Sequence, residues 1–564
     1  MVIGDLVKGF FRKYGALILV LVLLVLANVL VQLFVVRWDM TDDKLYSLSD
    51  DSKALLRQTD GPIEVTLFLD GELSAGFKQL QKTAEETLAE MNAYADIRVD
   101  YLNLNTADEE IQMEYARQGI VPYAQSETTH GGKTVITNTF PYAEIRYQEH
   151  RIIVPLFTRT AFHDEEADLQ TAIEQMEFTL AEGIHRLMQP DVNNIAILEG
   201  HGQQGNTYTD DLETTLSKYF RVYRGQIDDP QDTTDVNVHI LDGFKVVIIA
   251  NPQTAFTERE LFIIDQYIMR GGAVLWAVNG VLLNHEMLNY YGASPTLGNQ
   301  LGIEGLLFCY GVNIKQEIIQ DTQCQSIALN VSNDPNAPNL QSFPWSYAPL
   351  LLPDSTNPIT RDIKASVSCE MASPLAIVGR GDGIQKKVLL HTSSNTRHTK
   401  PMNEVRFEDG IYPNEAEYLY PSDTIAYSLE GAFRSYFAYR MVPKGIKTDE
   451  AIRKQSVGAR QVVIGNGAVV TNSWEGAPMG YNRTENILYG NRDFVINAVL
   501  WLAGMDDLIP LRAKAVTLHL LNEQRAYGER DKVERISTIT PIVILALIGS
   551  TVLVIRRRKY ARRK

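Results

Sequence analysis

Two apolar stretches, residues 16–36 and 536–555, stand at opposite ends of a 564-residue chain, and neither contains a charged side chain. Each is about 20 residues long, enough for an α-helix to cross roughly 30 Å of hydrocarbon. Lys8, Arg12 and Lys13 precede the first, and Arg556, Arg557, Arg558, Lys559, Arg562, Arg563 and Lys564 follow the second. The positive-inside bias then puts both ends in the cytoplasm and everything between them outside. A cleaved signal peptide is the alternative for the first stretch. Its apolar run exceeds the usual 7–15 residues, and no small-x-small site precedes Arg37-Trp38, so an uncleaved anchor is expected. Pro541 falls in the first turns of the second helix, where a missing N–H costs little.

The intervening residues are too many for one core, so two or three domains are expected. The chain carries −16 overall; without the two basic ends, which hold +2 and +7, the remainder is near −25. Such a surface repels phosphate backbones, which excludes nucleic acid as a partner. Cys309, Cys324 and Cys369 are the only cysteines, too few for a disulfide framework. CxxC, HExxH and the Walker glycine-lysine loop are all absent. No cofactor or metal is expected, and energy from ATP would have to come from another chain.

Residues 44–158 read as a first α/β block. Ser49 is the N-cap of a helix containing Ala54-Leu55-Leu56. Residues 63–69 alternate as a strand, residues 77–94 carry Leu80, Ala84, Leu88 and Met91 at helical spacing, and residues 97–104 form a second strand. A helix at 109–118, the segment Gly119-Ile120-Val121-Pro122 and strands at 134–139 and 142–147 follow. This order resembles a thioredoxin-like module. A working thioredoxin needs a thiolate, and no cysteine precedes Cys309, so the module would be a redox-inactive scaffold.

Residues 164–505 read as a second α/β domain. It opens on the acidic start of a helix, Asp164-Glu165-Glu166-Ala167-Asp168, favourable to the macrodipole, with Leu169, Ile173, Met176 and Leu180 as its apolar stripe. Continuous apolar strands at 194–198, 246–250 and 273–278 alternate with helices at 212–219 and 258–269, the latter stopped by Gly271-Gly272. Such strands imply a parallel sheet covered on both faces. Ligands of such sheets gather past the strand C-termini. Glu199, Gly200, His201 and Gly202 lie at that edge and are the candidate ligand-binding residues. Two readings stand for His201: a ligand contact, or a tight turn whose glycines permit positive φ and whose imidazole hydrogen-bonds the backbone. Residues 295–361 and 394–457 are insertions with weak patterning. Within the first, Phe343-Pro344-Trp345-Ser346-Tyr347 reads as core. Residues 375–378 and 388–391 read as a strand pair rejoining the sheet, 493–502 as a covering helix, and 506–535 as a stalk.

The run Ile195-Ala196-Ile197-Leu198-Glu199-Gly200-His201-Gly202, then Val246-Val247-Ile248-Ile249-Ala250-Asn251-Pro252, then residues 260–272, resembles the GldG-type proteins. These are auxiliary subunits of ABC transporters associated with gliding motility. Tyr46-Ser47-Leu48-Ser49, Val462-Val463-Ile464-Gly465 and residues 490–502 fit the start and close of that family. Two positions depart from it: Gln203 stands where an acid is common, and Asn466-Gly467 where an Asp-Ser pair is common. The resemblance implies a class I glutamine-amidotransferase-like (flavodoxin-like) domain. It also implies a permease and a cytoplasmic ATPase as partners, and a place in the bacterial inner membrane. Enzymes of that superfold use a cysteine on a tight turn after a strand; Ala250-Asn251-Pro252 and Val278-Asn279-Gly280 have none. A non-catalytic auxiliary role is therefore expected. An envelope hydrolase and a structural or sensory ectodomain are the alternatives.

Overall fold

The computed structural model describes residues 48–128, 134–159, 165–188, 193–202, 206–228, 234–332, 339–379, 383–448, 451–473 and 476–515, with helical positions at 549–550, 552–554 and 557. Among them no helix is long and apolar enough to cross a membrane. The stretch 16–36 lies outside the described residues. Of the stalk expected at 506–535, residues 516–535 also lie outside. Its first part holds the helix Leu508–Ala515, whose Leu508, Ile509 and Leu511 are buried against the body rather than standing free as a stalk. All of 536–555 except its five helical positions lies outside too.

The described fold is mixed α/β, with parallel and antiparallel sheets. In the first sheet, β1 (Ile63–Leu67) pairs in parallel with β2 (Ile97–Tyr101) and antiparallel with β3 (Tyr142–Tyr147), which pairs with β4 (His150–Pro155). Ser49 caps the first helix, Asp50–Leu56, by accepting from the Ser52 amide, as its sequence position requires. The sheet's β4 is a strand that the periodicity did not show. The expected strand Thr134–Thr139 pairs instead with Tyr123–Thr128 as a separate hairpin. The stripe from Leu169 to Met188 is two helices, α1 (Glu165–Glu174) and α2 (Met176–Met188), broken at Gln175. Helix α2 packs on β3 and β4, so its apolar face completes the first sheet's core.

The large sheet runs in the order Cys324–Asn330, Leu340–Pro353, Gln385–His391, Thr424–Gly431, Ala459–Ile464, Ala273–Ala277, Val246–Ala250, Asn194–Leu198 and Arg221–Gly225. The last five are mutually parallel, and the pairings among the first five are antiparallel. All five positions of Val246–Ala250 are buried. Val246, Ile248 and Ala250 face one core cluster while Val247 and Ile249 face the other, the period of two expected of a strand covered on both sides. Each buried Val or Ile side chain stabilises by roughly 1.5–3 kcal/mol. One cover is Glu258–Met269, opened by a Thr257/Glu260 capping box and closed by Gly271 at φ 98°. The other is Asn491–Leu502, buried all round from Phe494 onward and apolar there except for Asn497, as a helix covered on most sides must be.

Residues 394–457 hold the strand Thr424–Gly431, which links the parallel and antiparallel halves. Of the expected pair near 375–391, only Gln385–His391 joins the large sheet; Leu375–Ile377 pairs with Val312–Ile314 elsewhere. Trp345 and Tyr347 are core residues, 1% and 2% exposed.

Candidate functional site

The Glu199–Gly202 turn leaves the C-terminal end of Asn194–Leu198. Gly200 and Gly202 take φ of 96° and 66°, the left-handed region that excludes most side chains. The Glu199 carboxylate turns to Arg224 at 3.2 Å, and Arg224 also holds Glu213. His201 is buried. Its Nε2 lies 3.2 Å from Glu260 Oε1, and its ring stacks on Phe256 with centroids 3.6 Å apart. Its carbonyl accepts from the amides of Gln253 (2.7 Å) and Thr254 (3.0 Å).

The backbone bonds of the turn thus come from the His201 carbonyl, while the imidazole reaches a carboxylate. Burial pushes the Glu260 carboxyl up, but hydrogen bonds from His201 and Thr257 outweigh it and hold it below the ordinary range. Because Glu260 also caps its own helix, His201 latches the first strand-end loop to that helix N-terminus.

Beside this latch, past the same strand ends, lies a cavity of about 830 Å³. Its lining includes the carboxamides of Asn251 and Asn279 at the ends of two adjacent parallel strands, and Asn466, past the next strand, is buried and bonded to Asn279. Asn251 follows Val246–Ala250 directly, at φ 49°. Its Oδ1 accepts from Gln253 Nε2 and Asn279 Nδ2, both at 3.0 Å. Asn279 Oδ1 accepts from the Gly467 amide at 2.8 Å and from Asn466 Nδ2 at 3.4 Å. Gly467 has no room for more: an added Cβ would stand 2.3 Å from Asn251 Oδ1. The walls come from far along the chain, among them Gln325, Trp345, Asn472 and Asn482. Asn472 is buried, and its Oδ1 has no hydrogen-bond partner among the described residues. Glu370 and Arg483 are the only Asp, Glu, Lys or Arg residues among the described residues lining the cavity, and Glu370 Oε1 accepts from Trp345 Nε1 at 3.2 Å.

Cys369 also lines the cavity, yet burial and the nearby Asp321 and Glu370 raise its thiol well above the ordinary value. Burial likewise raises Cys309, and takes Cys324 to about 11. None is poised as a thiolate. Among the described residues no group of His, Cys, Asp and Glu is arranged to hold a metal ion. The cavity is lined largely by neutral carboxamide, hydroxyl and apolar side chains.

Of the four residues expected to contact a ligand, none is among the described residues lining this cavity; the His201 carbonyl instead holds the amide of Gln253, which does line it. Gln325, Trp345 and Ala348 lie in the weakly patterned insertion 295–361, while Asn251, Asn279, Cys369, Asn472 and Asn482 come from segments far apart in sequence that only the fold brings together. A signal was present: Asn251, Asn279 and Asn466 each stand one or two residues past an apolar strand.

A family model described as an ABC-type uncharacterized transport system matches residues 193–498. That is more than half of the chain, and the chain belongs to this auxiliary ABC transport family. It therefore carries the domain of a transport-associated accessory protein, and its family associates it with ABC transporter components. A second model, a domain of unknown function, matches residues 42–146. None of the curated proteins compared with the chain matches it. Among solved structures, the mmIFT52 N-terminal domain is similar at 14% identity and TM-score 0.31, over 55% of this chain and 97% of that one. A ThuA-like protein from Parabacteroides merdae is similar at 10% identity and TM-score 0.27, over 55% and 90%. Likenesses at these scores carry no argument.

Proposed function

We infer that the protein is a non-catalytic, membrane-anchored auxiliary subunit of an ABC transport system, of the GldG type. Residues 16–36 and 536–555 serve as its two membrane helices, with both termini in the cytoplasm and the α/β body outside a bacterial inner membrane. The body stands over a permease driven by a cytoplasmic ATPase. The first block acts as a redox-inactive, thioredoxin-like scaffold, and the parallel sheet as an amidotransferase-like platform.

The observation that carries the reading is the amide-lined cavity at the sheet's C-terminal edge, where an activated nucleophile would stand in an enzyme of that superfold. Asn251 occupies the turn instead, and the one thiol in the cavity is held protonated. A site of this kind binds rather than reacts. With so few charges in its walls, it suits an uncharged, hydrogen-bonding cargo or envelope component.

Affinity purification of the full chain from native membranes tests the assignment. Permease and ATPase subunits should co-purify, and deleting residues 48–515 should abolish transport. Purification without either subunit would overturn it. A hydrolase reading would need turnover that Cys369→Ser abolishes.

A further inference from the structure

Among the described residues most arginines meet a carboxylate, Arg224, Arg270, Arg460, Arg492 and Arg512 among them. The segment between Phe433 and Gly458 breaks the pattern. It holds Arg434, Arg440, Lys444, Lys447, Arg453 and Lys454 against Asp449 and Glu450, a local excess of +4 in a chain of −16. Among the described residues none of the six has a carboxylate partner, and all six are exposed. Asp449 and Glu450 lie outside the described residues.

The segment leaves the large sheet and returns to it as two legs lying side by side. The Ser435 amide donates to the Lys454 carbonyl at 2.9 Å, and the Ser456 amide to the Phe433 carbonyl at 2.8 Å. Asp265, fully buried in Glu258–Met269, fixes the root by accepting from Ser435 Oγ (2.6 Å) and the Tyr436 amide (2.8 Å). The pairing brings cations from both legs around two tyrosine rings. Arg440 lies 3.8 Å over Tyr436, while Arg434 and Lys454 lie 5.0 and 5.3 Å over Tyr439. Large apolar groups stand out among them: Tyr439 is 79% exposed, Met441 91% and Val457 87%, and Val442 next to Met441 is also exposed.

We propose that this two-legged segment docks on a bilayer surface rich in anionic headgroups. Unpaired cations on long flexible stems are attracted to such a surface one by one, without a complementary groove. Tyrosine suits the headgroup level, and Met and Val side chains can bury there. A protein partner would call instead for a contiguous apolar patch ringed by polar groups, whereas here Tyr439, Met441, Val442 and Val457 are interspersed with the cations. The segment overcomes a repulsion that the rest of the acidic body would feel. It would hold the body down on the membrane, resting on the anchored reading for its proximity.

The test is hydrogen exchange of the full wild-type chain reconstituted in nanodiscs, either of phosphatidylcholine alone or of equal phosphatidylcholine and phosphatidylglycerol. Amides of residues 434–457 should exchange several-fold more slowly in the anionic discs, and the difference should vanish near 1 M salt, where the screening length is about 3 Å. Arg440→Glu with Lys454→Glu should remove it. Because both side chains are exposed, the double variant should keep the protection of Val246–Ala250, which shows that it is folded. Equal exchange in the two discs overturns the proposal. Protection that arises only when permease is added overturns it in favour of a protein partner. Carbonate extraction is read separately. Release of the chain would refute the anchor alone, leaving the segment testable by adding the same lipids as vesicles.

Discussion

Replacing His201 by alanine separates the two readings of the Gly-His-Gly turn. The substitution removes the imidazole from Glu260 at 3.2 Å and from the face of Phe256 at 3.6 Å. A hydrogen bond to an ionised partner contributes about 1.5–3 kcal/mol, and a stacked ring pair about 0.5–1.5 kcal/mol. Both groups are buried, so solvent screens neither, and the expected loss is about 2–4 kcal/mol. Glu260 keeps its bonds to the Thr257 amide (2.7 Å) and hydroxyl (2.9 Å), so it is not orphaned and the cost stays within that range. Glu260 is held below its ordinary value in the folded chain. Its contribution is therefore present above the unfolded carboxyl value of about 4.3 and lost as pH falls through the folded one. Urea unfolding of the full chain in detergent, followed by far-ultraviolet circular dichroism at neutral pH, reads the change as a lower midpoint at unchanged slope. An unchanged midpoint would refute the latch. If transport or complex assembly then failed with stability intact, His201 would be a ligand contact after all.

Four further outcomes are expected. His398 is clamped between Asp423 (2.7 Å) and Glu317 (2.8 Å); the bond to Asp423 raises its pKa most, burial opposes, and Glu317 adds. The clamp's stabilisation should be full below about pH 6.5 and disappear as pH rises through the folded value, a difference absent in His398→Gln by denaturant midpoints. Gly465→Ala would place a Cβ 2.0 Å from the Ser373 carbonyl oxygen, a backbone atom that cannot swing away; a loss of about 1–3 kcal/mol, or failure to fold, should appear in thermal melts. Asp265→Ala leaves donors from Tyr310, Ser435, Gln266 and Tyr436 without their acceptor, and should cost about 3 kcal/mol and speed hydrogen exchange at the root of the two-legged segment. Cys369 should resist iodoacetamide in the folded chain near neutral pH, because its thiol is buried and held protonated; rapid alkylation would contradict that and revive a nucleophilic role.

Much of this was legible along the chain. Val246–Ala250 and Ala273–Ala277 announce themselves as strands covered on both sides, because five apolar residues in a row leave no face for water. Thr257, Glu260 and Gly271 mark a helix's ends through their own local chemistry. The Gly-His-Gly turn showed its need for positive φ, and the three asparagines past three strands were there to be noticed. His201's true partner was not, since Glu260 lies 59 residues away and only packing brings them together.

Which segments are buried and where the chain must turn is written locally in the residues, since burial and turn chemistry act over a few positions. The tertiary structure alone decided which segments meet. Thr424–Gly431, set in a polar stretch, lies between Gln385–His391 and Ala459–Ile464 because those two neighbours satisfy its backbone on either edge. The cavity is assembled from Asn279, Trp345 and Asn472, and the cationic segment from two legs whose pairing gathers charges spread over 21 residues. Long-range closure of the chain creates both features, and no local period records it.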